Sequence, residues 1–242
     1  IQVATNLAND YFDHKKGADN SDRVGPDRAV QQGWISPKAM LTATGVVLLC
    51  ALLVGLYLIA VGGVPIAVIG VASLICAVAY TGGPYPLAYV GLGDAFVFVF
   101  FGLAAVVGTT WVQTLTAPPA AWIGGACMGL LATAILVVNN LRDRTTDAAA
   151  NKRTLAVRFG ARFARLEHAL TIAVPFVLAA IGFTMGWVPV LAAALPALAL
   201  PLAIHEIRSV WTKDGPSLNP HLGGAARLEL VFGLLFGVGF LL

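Results

Sequence analysis

Charge is what this 242-residue sequence has least of: 11% of residues are Asp, Glu, Lys or Arg, against 58% hydrophobic, and the mean hydropathy is +0.83. That scarcity excludes a soluble globular core, whose surface needs roughly a quarter of its residues charged. Cysteine is scarce too. The three present, Cys50, Cys76 and Cys127, lie singly in apolar runs without CxxC spacing, which excludes a zinc site or a disulfide framework and leaves them as small buried hydrophobes. Four His, none paired with another His or Cys at metal-ligand spacing, exclude a His-based metal centre, and His14, His168, His205 and His221 read as solvated loop residues. There is no long Ser-, Gln- or charge-rich linker, so residues 1–242 read as one membrane domain.

What the sequence does have is apolar runs of bilayer-crossing length, about 20 residues. They fall at 39–62, 64–80, 95–117, 120–141, 168–186, 187–204 and 226–242, which predicts an all-α, polytopic transmembrane bundle with seven spans. Position 1 is Ile, and residues 1–12 read as the last turns of a further helix, so one or more spans are expected upstream of an N-terminally truncated chain. All 15 Lys and Arg fall in three segments, five in 13–38, seven in 142–165 and three in 208–227. If the chain crosses at every span, those segments and the 81–94 turn share one face, which the positive-inside bias makes cytoplasmic. That bias accounts for the net charge of +3, and no nucleic-acid partner is expected. A coarse repeat at 1–80 and 120–204, each an apolar helix ending in Asn and Asp, a basic loop and a two-span hairpin, matches membrane proteins that place a site between halves.

Two acidic clusters end these apolar runs. Side chains three or four positions apart share a helix face. Asn6, Asn9, Asp10 and Asp13 have that spacing, as do Asn139 or Asn140, Asp143 and Asp147. Each cluster can aim two carboxylates and an amide oxygen at one point. An oxygen-only ligand set suits Mg²⁺, which bridges one or two carboxylates to substrate phosphates. A solvated helix end is the plain alternative for one Asp, but paired clusters at matching depth argue for metal-held diphosphate. Asp10, Asp13, Asp143 and Asp147 are the expected metal-holding and catalytic residues, with Asn9 and Asn140 in support. Lys16, Arg23, Arg28, Lys152 and Arg153 serve either diphosphate contact or positive-inside anchoring. Arg158, Arg162 and Arg165 step along one side of an amphipathic helix and read as interfacial anchors. Tyr11, Tyr80, Tyr85 and Tyr89 either shield a carbocation or form an ordinary interfacial belt. Asp94 opens a span on the same face, and there it orients the aromatic substrate, takes a proton, or simply starts a helix.

Residues 6–13 (Asn-Leu-Ala-Asn-Asp-Tyr-Phe-Asp), Gly17 to Asp19, Asp22 to Pro26, Tyr80 to Leu87, Gly91 to Asp94, Asn139 to Asp147 and Lys152 to Arg158 together resemble the UbiA superfamily of membrane prenyltransferases. Asp22 to Pro26 and Lys152 to Arg158 favour its menaquinone branch. The resemblance implies a nine-helix bundle, of which the first helix and most of the second precede this chain. It implies transfer of a polyprenyl group from polyprenyl diphosphate to 1,4-dihydroxy-2-naphthoate, with loss of CO₂ and diphosphate, in a bacterial inner or plasma membrane. One departure stands out. The superfamily pattern Asn-Asp-x-x-Asp-x-x-x-Asp would put a third carboxylate at position 17, where this chain has Gly17, and Asp19 is the nearest further metal ligand. A sister enzyme using another aromatic acceptor, such as 4-hydroxybenzoate, would keep the same acidic machinery. An ion-coupled transporter would instead need acidic residues near mid-span and charge on both faces, which the spans as read lack.

Overall fold

The computed structural model describes residues 1–17 and 25–242. Asp19 and Arg23 lie outside them. Helix α1 (Gln2–Lys15) is followed by α2 (Pro37–Ala79), a 3₁₀ turn at Leu87–Val90, α3 (Gly93–Thr114), α4 (Pro119–Arg142), short α5 (Arg144–Ala149), α6 (Leu155–Thr184), α7 (Val190–Thr212) and α8 (Asn219–Val238). No strand occurs among the described residues. Six of these helices are long and apolar enough to cross a membrane, so this is an integral membrane protein.

The seven spans read from hydropathy map onto these six because 39–62 and 64–80 are two arms of α2, broken at Gly63 (φ 66°, ψ −151°). Gly tolerates that left-handed φ, and Pro65 begins the second arm without needing the N–H it lacks. Trp111 of α3 donates its indole N–H to Gly62 O (2.8 Å), which pins the break. Three boundaries need correcting. Helix α6 begins at Leu155 rather than 168, α7 runs on to Thr212 rather than 204, and α8 begins at Asn219 rather than 226. In each case polar residues lowered the local hydropathy; His168, Glu206 and His221 turn inward while Arg158, Arg162, His205 and Arg208 stay exposed, and α6 is broken at Gly160 (φ 84°, ψ 175°). His168 and His221, expected in solvated loops, are buried, as is Glu206. Glu229 stands about 15 Å along α8, and Glu167 lies seven residues past the Gly160 break in α6. Mid-span carboxylates are therefore present.

Helix α4 is the hub: its most apolar stretch is 61% buried against 6% for α2. On one side Leu131, Ile172, Leu228 and Phe232 form the core joining α4, α6 and α8. Val137, Val138, Leu141, Ala164 and Val210 continue it toward the charged end. On the other side α3 crosses α4 closely at a π-helical stretch, Phe98–Ala104. A Cβ at Gly102 would stand 2.4 Å from both Gly125 O and Gly129 Cα. Gly102→Ala is thus expected to lower stability by about 1–3 kcal/mol, read as a lower melting temperature in detergent.

Candidate active site

A cavity of about 530 Å³ opens at the charged end of the bundle, lined by Asn9 and Asp13 of the first cluster and by Asn139 and Asn140 of the second, while Asp10, Asp143 and Asp147 do not line it. Asn6, Asn9 and Asp13 reach it from the last turns of α1, Asn139 and Asn140 from the end of α4, Lys152 and Thr154 from the loop before α6, and Asp94 from the start of α3. Arg28 joins them from the loop before α2.

The segment 80–92 ties the two clusters together. Thr81 donates its hydroxyl to Asn9 Oδ1 (2.8 Å) and Tyr89 donates its hydroxyl to Asp13 Oδ1 (2.8 Å). Lys16 Nζ donates to Thr81 O and lies 4.5 Å from the Tyr89 ring centre, while Lys152 Nζ lies 6.0 Å from it. The Arg153 N–H donates to Tyr89 O (2.9 Å), so Arg153 contributes backbone while its side chain is exposed. Arg158, expected to anchor at the interface, instead donates to Arg153 O (3.0 Å) and Val90 O (2.8 Å), stapling the same segment to the second cluster. Arg165 likewise holds Val210 O and Lys213 O. Of the four tyrosines, Tyr80 and Tyr89 belong to the site. Tyr85 is exposed, and Tyr11 packs edge-on to Phe12.

The four expected aspartates fall into two kinds. Asp10 turns its carboxylate to the loop, accepting from Ala29 N–H (3.0 Å) and Val30 N–H (3.3 Å). Asp143 is gripped by its neighbour: Arg142 donates Nε to Oδ1 (2.7 Å) and Nη2 to Oδ2 (2.6 Å). The same guanidinium donates to Asn139 Oδ1 (2.8 Å) and Asn219 Oδ1 (3.0 Å), and it is buried. Nothing in the sequence separated Arg142 from an ordinary positive-inside charge. Asp13, by contrast, lines the cavity, and Asp147 is joined to it through Lys152, which also lines it. Asp147 meets Lys152 Nζ through Oδ1 (3.3 Å), while its Oδ2 is buried and without a hydrogen-bond partner among the described residues. Burial pushes its carboxyl up to about 6, with Lys152 opposing and Asp143 and Asp13 adding repulsion. Burial also raises the Tyr80 phenol well above its ordinary value, helped by the charges of Asp94, Asp13 and Asp147. Tyr80 therefore stays a neutral hydrogen-bond donor. Asp94 is buried, and neither carboxylate oxygen has a partner among the described residues.

The donor chemistry fits a hard cation bridged to phosphate. The Asp13 carboxylate and the amides of Asn9, Asn139 and Asn140 line the cavity, with the Asp147 Oδ2 buried behind Lys152, an oxygen-rich set without His or Cys. Among the described residues no three His, Cys, Asp or Glu side chains close on one point, so a cation here would complete its shell with water or substrate oxygens.

An apolar cleft of about 300 Å³ adjoins the cavity, sharing Gln2, Thr5, Tyr80, Val97 and Phe101 with it and continuing along Cys76, Phe96 and Phe100. A charged mouth opening sideways into a greasy slot suits a molecule with an anionic head and a hydrocarbon tail.

The profile of the UbiA prenyltransferase family matches residues 1–219. The 1,4-dihydroxy-2-naphthoate octaprenyltransferase of Escherichia coli K12 is 38% identical over 255 residues, spanning 100% of this chain and 80% of that protein. The Haemophilus influenzae protein of the same name is 36% identical over 252 residues with the same coverage. The UbiA prenyltransferase domain-containing protein 1 of Mus musculus is 30% identical over 246 residues, 100% of this chain and 70% of that one. A solved digeranylgeranylglyceryl phosphate synthase shares the fold, with a TM-score of 0.64 at 15% identity over 98% of this chain and 80% of that one.

Proposed function

The chain belongs to the UbiA prenyltransferase family, and from that premise we propose that it transfers a polyprenyl group from its diphosphate to 1,4-dihydroxy-2-naphthoate, with Mg²⁺, at the cytoplasmic face of a bacterial inner or plasma membrane. The acceptor is the one named for relatives at 28–38% identity. Neither a different aromatic acceptor nor ion transport is favoured by those relatives. The observation that carries the reading is that Asn9 and Asp13 of one cluster and Asn139 and Asn140 of the other, 130 residues apart, line one cavity that continues into an apolar cleft.

Asp13 and Asp147 would hold the metal, with Asn9 and Asn140 beside them. Asp10 and Asp143 shape the rim by fixing the Ala29–Val30 loop and Arg142. When bound, the ion neutralises charge on the departing diphosphate. Lys152 and Arg28 line the same cavity, with Lys16 beside it against Thr81 and Tyr89, and they supply further positive charge where that negative charge develops. The tail lies in the cleft along Phe96, Phe100 and Phe101, and the faces of Tyr80 and Tyr89 flank the allylic carbon. As the C–O bond breaks, its electron pair leaves on diphosphate. A ring π pair then forms the new C–C bond at the carbon bearing the carboxylate. Cleavage of the C–CO₂ bond returns a pair to the ring, so aromaticity is restored without a base removing a ring proton. Asp94, buried and partnerless, accepts a hydrogen bond from an acceptor hydroxyl and raises the electron density of the ring.

Membranes carrying the protein, given dihydroxynaphthoate, a polyprenyl diphosphate and Mg²⁺, are expected to yield prenylated naphthol and CO₂ in equal amounts, and neither after EDTA. No product with Mg²⁺ present would defeat the assignment.

A further inference from the structure

Glu229 has no part in the chemistry above, yet it is placed as a ligand-binding group. It stands about 15 Å along α8 from Asn219, at membrane depth. No hydrogen bond or ion pair joins it to another described residue. A charged or ionisable side chain in mid-span costs about 2.5–3.5 kcal/mol on insertion scales, and no protein partner offsets that cost. Its side chain lines two spaces at once. One is the site cavity, where Glu229 lies on the same face of α8 as Leu222, seven positions earlier, and reaches the floor with Ala132. The other is a groove of about 600 Å³ between α3, α4 and α8, walled by apolar residues such as Met128, Leu234 and Phe236, in which Glu229 is the sole charged side chain among the lining residues.

Space inside the cavity narrows what Glu229 can meet. The mouth, with Asp13, Asn140 and Lys152, takes the anionic head, and the side cleft past Tyr80 and Phe101 takes the tail. The remaining lobe runs down α4 from Asn140 to Ala132, about 12 Å, and ends at Glu229. A flat aromatic acceptor is the component still without a place. Asp94, whose backbone carbonyl accepts from Thr133 Oγ1 (3.5 Å), enters this lobe from α3, and Glu229 enters it from α8.

We propose that Glu229 is a specificity-determining residue that receives a hydrogen bond from the ring hydroxyl of the aromatic acceptor farthest from the diphosphate, so that the site selects a dihydroxy ring over a monohydroxy one. This rests on the prenyl-transfer reading. A site built to hydrogen-bond a hydroxyl strongly rejects the analogue lacking it, because its own buried polar group is left unpaired. Selection falls away once that group is removed.

The test compares 1,4-dihydroxy-2-naphthoate with 1-hydroxy-2-naphthoate in wild type, Glu229→Leu and Glu229→Gln, all purified in detergent with Mg²⁺ and a polyprenyl diphosphate. Leu suits a membrane-spanning helix, and melting temperature checks that both variants are folded. Wild type is expected to favour the diol at least tenfold in kcat/KM. In Glu229→Leu the KM for the diol rises at least tenfold, the KM for the prenyl diphosphate stays the same, and the preference for the diol disappears. Glu229→Gln, which keeps an accepting oxygen, retains most of it. Titrating the naphthoates by their own fluorescence, without prenyl diphosphate, is expected to show the same loss in affinity. If wild type prenylates the diol and Glu229→Leu keeps both KM and preference, the inference about Glu229 fails while prenyl transfer stands. If wild type prenylates neither, the underlying reading fails instead.

Discussion

Asp147→Asn is expected to lower turnover at least about a hundredfold, the scale seen when a preorganised charge facing the transition state is removed, and to leave the protein as stable as before or more so. Both halves follow from one carboxylate. Its Oδ2 is buried without a partner among the described residues and its pKa is raised to about 6, so the folded protein holds it more readily neutral than the unfolded chain does. For a carboxyl shifted upward, stability is greatest below the ordinary carboxylate value and declines as pH rises toward 6. At neutral pH in metal-free protein, the isosteric neutral amide removes that cost. Circular dichroism melts in EDTA and initial rates in Mg²⁺ on the same preparation separate the two effects. A fall in melting temperature of several degrees with unchanged turnover would reverse the account of this residue. Asp13→Asn is expected to lose activity comparably, since Asp13 is the carboxylate that α1 brings to the cavity.

Arg142→Leu is the second large effect, and it strikes folding first. The guanidinium is buried and binds both oxygens of Asp143 together with Asn139 and Asn219. Breaking a buried pair by deleting one partner costs about 3–5 kcal/mol, because the other charge is left without compensation. Two ends of the site would loosen together: the C-terminus of α4, which carries Asn139 and Asn140, and the N-terminus of α8, which carries Asn219. Asp143→Ala leaves the mirror-image problem, an orphaned guanidinium. Its loss of activity alone would therefore not separate metal binding from folding. The double variant Arg142→Leu with Asp143→Leu is expected to recover much of the melting temperature lost by either single change while remaining inactive, a coupling that a double-mutant cycle reads directly. Additive losses in the cycle would show that the two side chains do not act as a pair.

Hydropathy located every apolar stretch because the bilayer demands long runs, and helix periodicity grouped Asn9 with Asp13, both of which line the cavity. What stayed hidden was of a different kind. Glu206 and His221 are 2.7 Å apart and buried, with Lys213 on the other His221 nitrogen, yet in sequence they resemble any polar loop between spans. Pairing across helices is invisible to a one-dimensional window. The same blindness moved the start of α8 seven residues too late. Asp10 has the right spacing to join Asp13, but periodicity specifies a face of about a hundred degrees, and within it the N–H groups of Ala29 and Val30 captured the carboxylate. Tyr89 was one aromatic among several until the fold set its hydroxyl on Asp13 and the two lysines beside its ring.

The central claim is that the two clusters form one metal-dependent diphosphate site, and the most direct measurement is equilibrium binding of a non-reactive prenyl thiolodiphosphate to purified protein by calorimetry. Binding is expected in Mg²⁺, to weaken at least about a hundredfold in EDTA, and to be lost equally in Asp13→Ala and Asp147→Ala. Tight binding that survives EDTA, or that persists in either variant, would contradict it.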